Sequence, residues 1–492
     1  MRRIVGRAAV EAAAADLLRD ESNLRGAWCE EAAWPSNARE ASEYVASCAA
    51  RGLGLTISGG CTGVTGGALP DGGAVLSTRC MTGTGPVEDG RITVSAGTKL
   101  DDLRRLLESS SPGLFFPPDP TEWSATLGGM AATDASGSDS LLYGSARRWI
   151  EGVEAVFSSG EVLWTRRGEH VFDGGGRCSH PLLGVLTIPS SPHRNLPEKD
   201  TAGYRLRPGM DLLDLLLGSE GTLCLVTALE LRLEPAPAHT LETVLFPGSP
   251  DLLWPALGML AGSSFRLRAL EMMDDKCLEL IRRSPLPDGV PPPPGASCAA
   301  ISRIDACSDS EIDTVLEWLD SMSRDLGIPE SRVWAGMDER GNTRIRRFRH
   351  QLPEIVNREV SRRAATVPGI FKLGSDSAVG FAKAASFHSE ISRLIDGGGF
   401  EGIVFGHAGQ GHLHANIIPR DTDEMERARA VMLEIARIAV REGGTVSAEH
   451  GLGRIKGHLL VEMHPPEYIE GMSALRRTID PAGLFNPAIR WA

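Results

Sequence analysis

A chain of 492 residues exceeds what one hydrophobic core usually serves, so two or more domains are expected. With 42% hydrophobic and 23% charged residues it has the composition of a globular protein, and a formal net charge of -13 excludes nucleic acid as a partner by repelling phosphate backbones. Nine scattered cysteines with no C-x-x-C pair exclude a disulfide framework, a zinc ribbon or an iron–sulfur centre within this chain and fit a reducing compartment.

Glu11 and Asp16 break the apolar stretch that a signal peptide needs. The most apolar run is interrupted by Asp214, Glu220 and Glu230, so no integral membrane segment is expected and the chain reads as cytoplasmic. In chain order, residues 8–20 predict an Ala-rich helix and residues 40–51 a second, amphipathic one. From 55 to 233 the texture is that of an α+β domain: short β-type runs at 74–77, 92–96 and 153–157 alternate with glycine clusters and a helix at 100–108. The Pro- and Ala-rich stretch 234–238 marks a boundary, and a second mixed region follows, with helices at 310–326 and 381–395. Strands at 403–406 and 413–418 flank a turn containing Gly409 and Gly411 and predict a hairpin. A helix at 424–441 comes next, with Asp421 or Thr422 to cap its start and Gly443 and Gly444 to stop it.

Two patches of small residues stand out. Ser58, Gly59, Gly60, Cys61, Thr62, Gly63, Val64, Thr65, Gly66 and Gly67 follow a strand and let backbone N–H groups approach a diphosphate without Cβ interference, although an ordinary glycine-rich turn explains such a segment equally well. The second patch runs from Pro118 and Asp119 through Thr126, Gly128, Gly129, Thr133, Ser136 and Gly137 to Tyr143 and Gly144, and leaves room for a large flat ligand. The one formal G-x-G-x-x-G match, at Gly397, Gly399 and Gly402, follows a helix and precedes a strand, the reverse of the order a dinucleotide fingerprint requires.

In the hairpin, His407 closes the first strand and His414 sits inside the second, so two imidazoles converge, and the two-residue period puts His412, His414 and Asn416 on one face. Glu449, in the loop after the last predicted helix, would add a third ligand and leave a coordination position open, as a catalytic zinc site requires; histidines that only hydrogen-bond are the alternative. Arg349 and Lys372 are candidates to hold a carboxylate, whereas Arg344, Arg346 and Arg347 read as a solvated helix face.

Together with Gly203-Tyr204 and the Gly218–Leu223 motif that contains Glu220 and Gly221, the two patches resemble the FAD domain of the vanillyl-alcohol oxidase superfamily, in its D-lactate dehydrogenase and glycolate oxidase branch. Segments 406–416, 447–453 and 484–487 resemble that branch's closing motifs. The resemblance implies an α+β fold: an N-terminal helical segment (1–35), a PCMH-type FAD-binding domain (36–235), a substrate or cap domain carrying the hairpin (236–445), and a C-terminal segment (446–492) returning to the flavin. It implies FAD held non-covalently, the 58–67 loop around the diphosphate, the second patch along the ribityl chain and isoalloxazine, and Val226 and Asn486 completing the pocket; Cys61 is read as a loop cysteine rather than a flavin tether.

The activity implied is oxidation of a small D-2-hydroxy acid of the D-lactate, glycolate or D-2-hydroxyglutarate type, with hydride passing from Cα to flavin N5. A divalent ion, Zn²⁺ by preference, would sit on His407, His414 and Glu449; His450, with a pKa near working pH, would take the hydroxyl proton; and Arg349, Lys372 and Asn416 would complete the catalytic set. An electron-transfer flavoprotein, quinone, cytochrome or iron–sulfur subunit would accept the electrons, and a homodimer is a compatible assembly. Two alternatives stay open: a flavin-binding subunit with little activity alone, and a non-redox enzyme like alkyl-glycerone-phosphate synthase, whose histidine tract is replaced here by Ala448-Glu449-His450. The chain departs from the branch at Gln410 and His412, where Asp and Asn are usual, at Ala488-Ile489, where Gly-Lys is usual, and at Asp134, where an ionised carboxylate in place of an amide would lower the flavin potential.

Overall fold

The computed structural model describes residues 1–189, 197 and 199–491. Its first part is built on two sheets. A four-stranded sheet runs in the order Arg2–Val5, Glu31–Trp34, Ala74–Ser77, Leu55–Ser58, and a five-stranded antiparallel sheet in the order Thr84–Glu88, Arg91–Ser95, Leu225–Arg232, Ile150–Val156, Val162–Arg166. The amino-terminal segment departs from the expected helix. Around the expected 8–20 helix, α-helix covers Arg7–Ala13 and a 3-10 turn Ala15–Leu18, but Arg2–Val5 is a strand that pairs antiparallel with Glu31–Trp34, which joins the segment to the sheet beyond position 35. The strand precedes the Ala-rich stretch, and its pairing to a partner about thirty residues on is a tertiary effect that the local sequence does not encode.

The second part is an eight-stranded sheet whose central order is His239–Leu245, Ala299–Ala306, Arg266–Met273, Gly402–His407, His412–Ile417. Both faces are covered, which the two-residue period allows: Ala300 and Ile304 face one apolar core, Ala299 and Ile301 the other. Helices Leu253–Ala261, Asp309–Asp325, Phe381–Gly397 and Thr422–Arg441 cover the first face, and Asp275–Arg283 and Glu339–Ala364 the second. Each fully buried Leu or Phe in these layers contributes about 1.5–3 kcal/mol.

The halves meet across a buried ionic layer. Arg303 reaches Asp119 at 3.2 Å and Asp139 at 2.6 Å, and the Tyr143 hydroxyl donates to Asp305 at 2.6 Å. After helix Thr422–Arg441, which Asp421 caps by accepting from the Glu424 N–H, Thr445 pairs with Ala378, and Ala378 in turn pairs with His412. The chain then returns to the first part: Leu460, Met472, Ile489 and Trp491 share a core with the five-stranded sheet, and Leu55 donates its N–H to Leu484 O at 2.7 Å.

Candidate active site

The first glycine patch leaves the end of strand Leu55–Ser58 as an open loop. Cys61 takes a left-handed φ of 58°, with its thiol 3.2 Å from Ser58 Oγ, and Arg79 donates to Gly59 O at 3.0 Å. Among the described residues no acceptor meets the backbone N–H groups of residues 60–64, the condition for cradling an anion. Thr126 caps helix Leu127–Thr133 by accepting from Gly129 N–H at 3.3 Å, and Thr133 Oγ1 donates to Gly129 O. Gly128 and Gly137 have a packing reason to be glycine: a Cβ would lie 2.6 Å from Ala96 Cβ in one case and 1.8 Å from Asp119 O in the other.

Several residues expected at the flavin use their side chains elsewhere. Asp119 pairs with Arg104 and Arg303, which outweigh the effect of burial and hold its carboxyl below the usual range, and Tyr143 binds Asp305, so both belong to the contact between the halves. Pro118 O accepts from Arg104, and Gly144 ends the short helix Ser140–Tyr143 at φ 73°. Glu220 accepts N–H groups from Leu452 at 2.8 Å and Gly453 at 2.7 Å, while burial pushes its carboxyl up to about 7. Asn486 accepts from Ile57 N–H and donates to Glu220 O, each at 2.7 Å, and Thr65 Oγ1 donates to His450 O at 3.2 Å. These bonds draw the 58–67 loop, the Gly218–Gly221 turn and the closing segments to one place; Val226 is buried beside a register shift in strand Leu225–Arg232. Asp134 is not a bare charge: it is buried against Arg147, whose backbone N–H also donates to it at 2.9 Å.

The hairpin sits opposite. His407 pairs with His412 and Phe405 with His414, and the turn closes through Gly411, where φ is 62° and a Cβ would lie 2.1 Å from Val379 O. Around Glu449, His407 Nε2 lies 3.6 Å away, His412 Nδ1 3.8 Å and His414 Nε2 3.4 Å. The other ring nitrogens face outward: His407 Nδ1 is 2.8 Å from Glu271 Oε1, His412 Nε2 is 3.0 Å from Asp376 Oδ1, and His414 Nδ1 is 3.4 Å from Ser375 O. In the first two contacts the ring nitrogen is off the line of a well-directed hydrogen bond, so the carboxylates orient the rings through close polar contact. Burial lowers the pKa of His407 and His412 and keeps them neutral. Burial raises that of Glu449, but the Lys199 ammonium foremost, with the His414 ring beside it, holds it well below the usual carboxylate range.

His450 bridges Asp376 and Glu449, with a ring nitrogen 3.3 Å from each carboxylate. The expectation of a pKa near working pH is not met. Burial lowers it, but the carboxylates, Asp376 foremost, raise it to about 9. Arg349 is paired with Glu271, Nη2 to Oε1 at 2.7 Å, and so stands behind His407. Lys372 is exposed and makes no hydrogen bond or ion pair among the described residues, yet the protein around it lowers its pKa by desolvation. Asn416 is buried on the hairpin's second strand opposite Gly374. Gln410 binds Ser140 at 2.7 Å and anchors the turn to the first half, so support for the histidines comes from Glu271 and Asp376 instead.

Four residues were missed in the sequence. Lys199 is buried with its Nζ 2.6 Å from Glu449 Oε2; Glu271 and Asp376 back the imidazoles; Lys456 donates to Asp376 at 2.6 Å. The only signal for Lys199 was its place just before the Gly203-Tyr204 motif.

Residues 239–489 match the family model described as FAD linked oxidases, C-terminal domain, and residues 30–166 match the model described as FAD binding domain. The chain belongs to the FAD-linked oxidases and is an FAD-dependent oxidoreductase with a PCMH-type FAD-binding domain. It is 28% identical over 463 residues to the D-lactate dehydrogenase of Archaeoglobus fulgidus, covering 92% of this chain and 89% of that one. To the glycolate oxidase subunit GlcD of Bacillus subtilis it is 27% identical over 472 residues, covering 93% and 88%. The fold is similar to that of 4-ethylphenol oxidase from Gulosibacter chungangensis, at TM-score 0.67 and 17% identity over 97% of this chain and 92% of that one. Among the described residues no helix is long and apolar enough to cross a membrane.

Proposed function

We propose that this oxidoreductase converts a D-2-hydroxy acid of the lactate, glycolate or 2-hydroxyglutarate type to the 2-oxo acid, with FAD held non-covalently. The observation that carries the reading is the convergence of His407, His412 and His414 on Glu449, at the place where the FAD-domain motifs meet the closing segment. The 58–67 loop, with its unpartnered N–H groups, would hold the diphosphate, and Thr126, Gly129, Thr133, Ser136 and Val226 would flank the rest of the cofactor. FAD supplies the acceptor for two electrons and one hydrogen.

Neutral imidazoles around an ionised carboxylate, with ligand atoms within 4.8 Å of one another, fit a divalent cation such as Zn²⁺. His407, His414 and Glu449 would hold it, and it would supply Lewis acidity that lowers the pKa of the substrate hydroxyl. His450 Nε2 is the proton acceptor in this reading, available in the fraction of molecules where the ring is neutral. Lys372, whose charge no carboxylate among the described residues matches, docks the substrate carboxylate; Arg349 fixes Glu271 and through it the plane of His407.

A second reading, a flavin subunit of a multi-subunit oxidase, is favoured by the likeness to a protein named a glycolate oxidase subunit. In either case an electron-transfer flavoprotein, quinone, cytochrome or iron–sulfur partner takes the electrons. The test is anaerobic mixing of flavin-loaded protein with D-lactate, glycolate and D-2-hydroxyglutarate. Bleaching of the flavin by one of them supports the proposal, and an unbleached flavin with all three sinks it in favour of the subunit.

A further inference from the structure

We infer that His412 is a fourth protein ligand, so that the cation site is a cage of three imidazoles and one carboxylate rather than a three-ligand site with an open position; the inference rests on the metal reading above. His412 has no solvent-exposed surface, and its ring centroid lies 4.3 Å from that of His414 and 5.5 Å from that of His407. Its strand position opposite His407 and Ala378 fixes the ring between the two sheet neighbours.

The two ring nitrogens have different surroundings. Nε2 faces Asp376 Oδ1 at 3.0 Å, which leaves Nδ1 aimed inward, 3.8 Å from Glu449 Oε2. His407 and His414 show the same division, one nitrogen on Glu271 or on Ser375 O and the other toward Glu449. A carboxylate or carbonyl behind each imidazole is how metal-binding histidines have their tautomer and orientation fixed. Ligand atoms roughly 2.0–2.2 Å from a tetrahedral zinc stand about 3.3–3.6 Å from one another. From Glu449 Oε2, His407 Nε2 stands 3.6 Å and His412 Nδ1 3.8 Å away, and from Oε1 His414 Nε2 stands 3.4 Å away; all come close to that spacing, His412 nearly as well as His407 on the same oxygen. A cation is also already wanted at Nδ1: the Lys199 ammonium stands 3.4 Å from it while holding Glu449 Oε2 at 2.6 Å. A fourth ligand changes the chemistry of the site, because a substrate hydroxyl then enters only as a fifth donor or by displacing one of the four.

The experiment is zinc-edge X-ray absorption on the flavin-loaded, zinc-loaded protein, with zinc affinity measured by chelator competition, for the wild type, His412→Gln and His412→Asn. Gln keeps a donor toward Asp376 and lacks the inward nitrogen; Asn places its amide near the Nδ1 position. Three imidazoles per zinc in the wild type, two in either variant, and an affinity at least about tenfold weaker in His412→Gln are expected. Two imidazoles per zinc in the wild type, or an unchanged affinity in a folded His412→Gln protein, would overturn the inference and leave the three-ligand site standing. Failure of the wild type to bind zinc, cobalt or manganese at all would remove the metal reading together with it.

Discussion

Lys199 Nζ lies 2.6 Å from Glu449 Oε2, a buried ion pair between side chains 250 residues apart in sequence. The ammonium occupies a carboxylate oxygen that a divalent cation would need, so the two compete. Lys199→Met should tighten zinc binding by about tenfold or more, since a unit charge about 4 Å from a divalent ion is worth about 2 kcal/mol even in high dielectric. Chelator competition on the flavin-loaded protein reads this directly, and an affinity equal to wild type would show that the lysine does not oppose the metal.

His450 sets the pH behaviour. Its folded pKa of about 9 lies above the ordinary 6.5, so the stability its imidazolium contributes is present in full below about pH 6.5 and is lost as pH rises through about 9. In metal-free protein the His450 ring should titrate by NMR with a midpoint near 9, and turnover that needs the neutral ring should rise with pH. His450→Gln should lower kcat by about 10²–10⁴ with flavin content unchanged. A midpoint near 6.5 would contradict the bridging geometry.

Arg349 and Lys372 separate by stability and KM. Truncating Arg349 strands the buried Glu271 carboxylate, and Arg349→Ala should cost about 3–5 kcal/mol in denaturant unfolding. Lys372→Met should leave stability within about 0.5 kcal/mol, as surface changes do, and raise KM for the hydroxy acid. The reverse pattern would exchange the roles given to the two cations.

Glycines 63 and 128 give a contrast within the cofactor region. A Cβ at Gly63 meets nothing within 4 Å, so Gly63→Val should fold normally and lose flavin affinity, measured by fluorescence titration of apoprotein. At Gly128 the same atom would lie 2.6 Å from Ala96 Cβ, and Gly128→Val should unfold the first half. Full flavin affinity in Gly63→Val would move the diphosphate away from this loop.

What could be read from the chain was what local chemistry encodes. The hairpin was legible because Gly411 and the alternating His412, Leu413, His414 mark a turn and a strand, and the helix Thr422–Arg441 because Asp421 and Gly443 bracket an apolar stripe. Lys199, Glu271 and Asp376 were not, because each acts on a partner far away in sequence and carries no motif of its own. Asp119 and Tyr143 lie in the right motifs, yet only the packing of Arg303 and Asp305 against them reveals that they join the two halves. The strand Arg2–Val5 was hidden for the same reason, its pairing being settled by a distant edge.

The tie from Asn486 to Ile57 spans 429 residues. A nascent chain therefore has its 58–67 loop synthesised long before Glu449, His450 and Asn486 leave the ribosome. A polypeptide ending at Glu442 keeps the three hairpin histidines but lacks Glu449, His450 and Asn486, and should accumulate as a flavin-poor species. Closure of the 58–67 loop thereby waits on translation through Asn486.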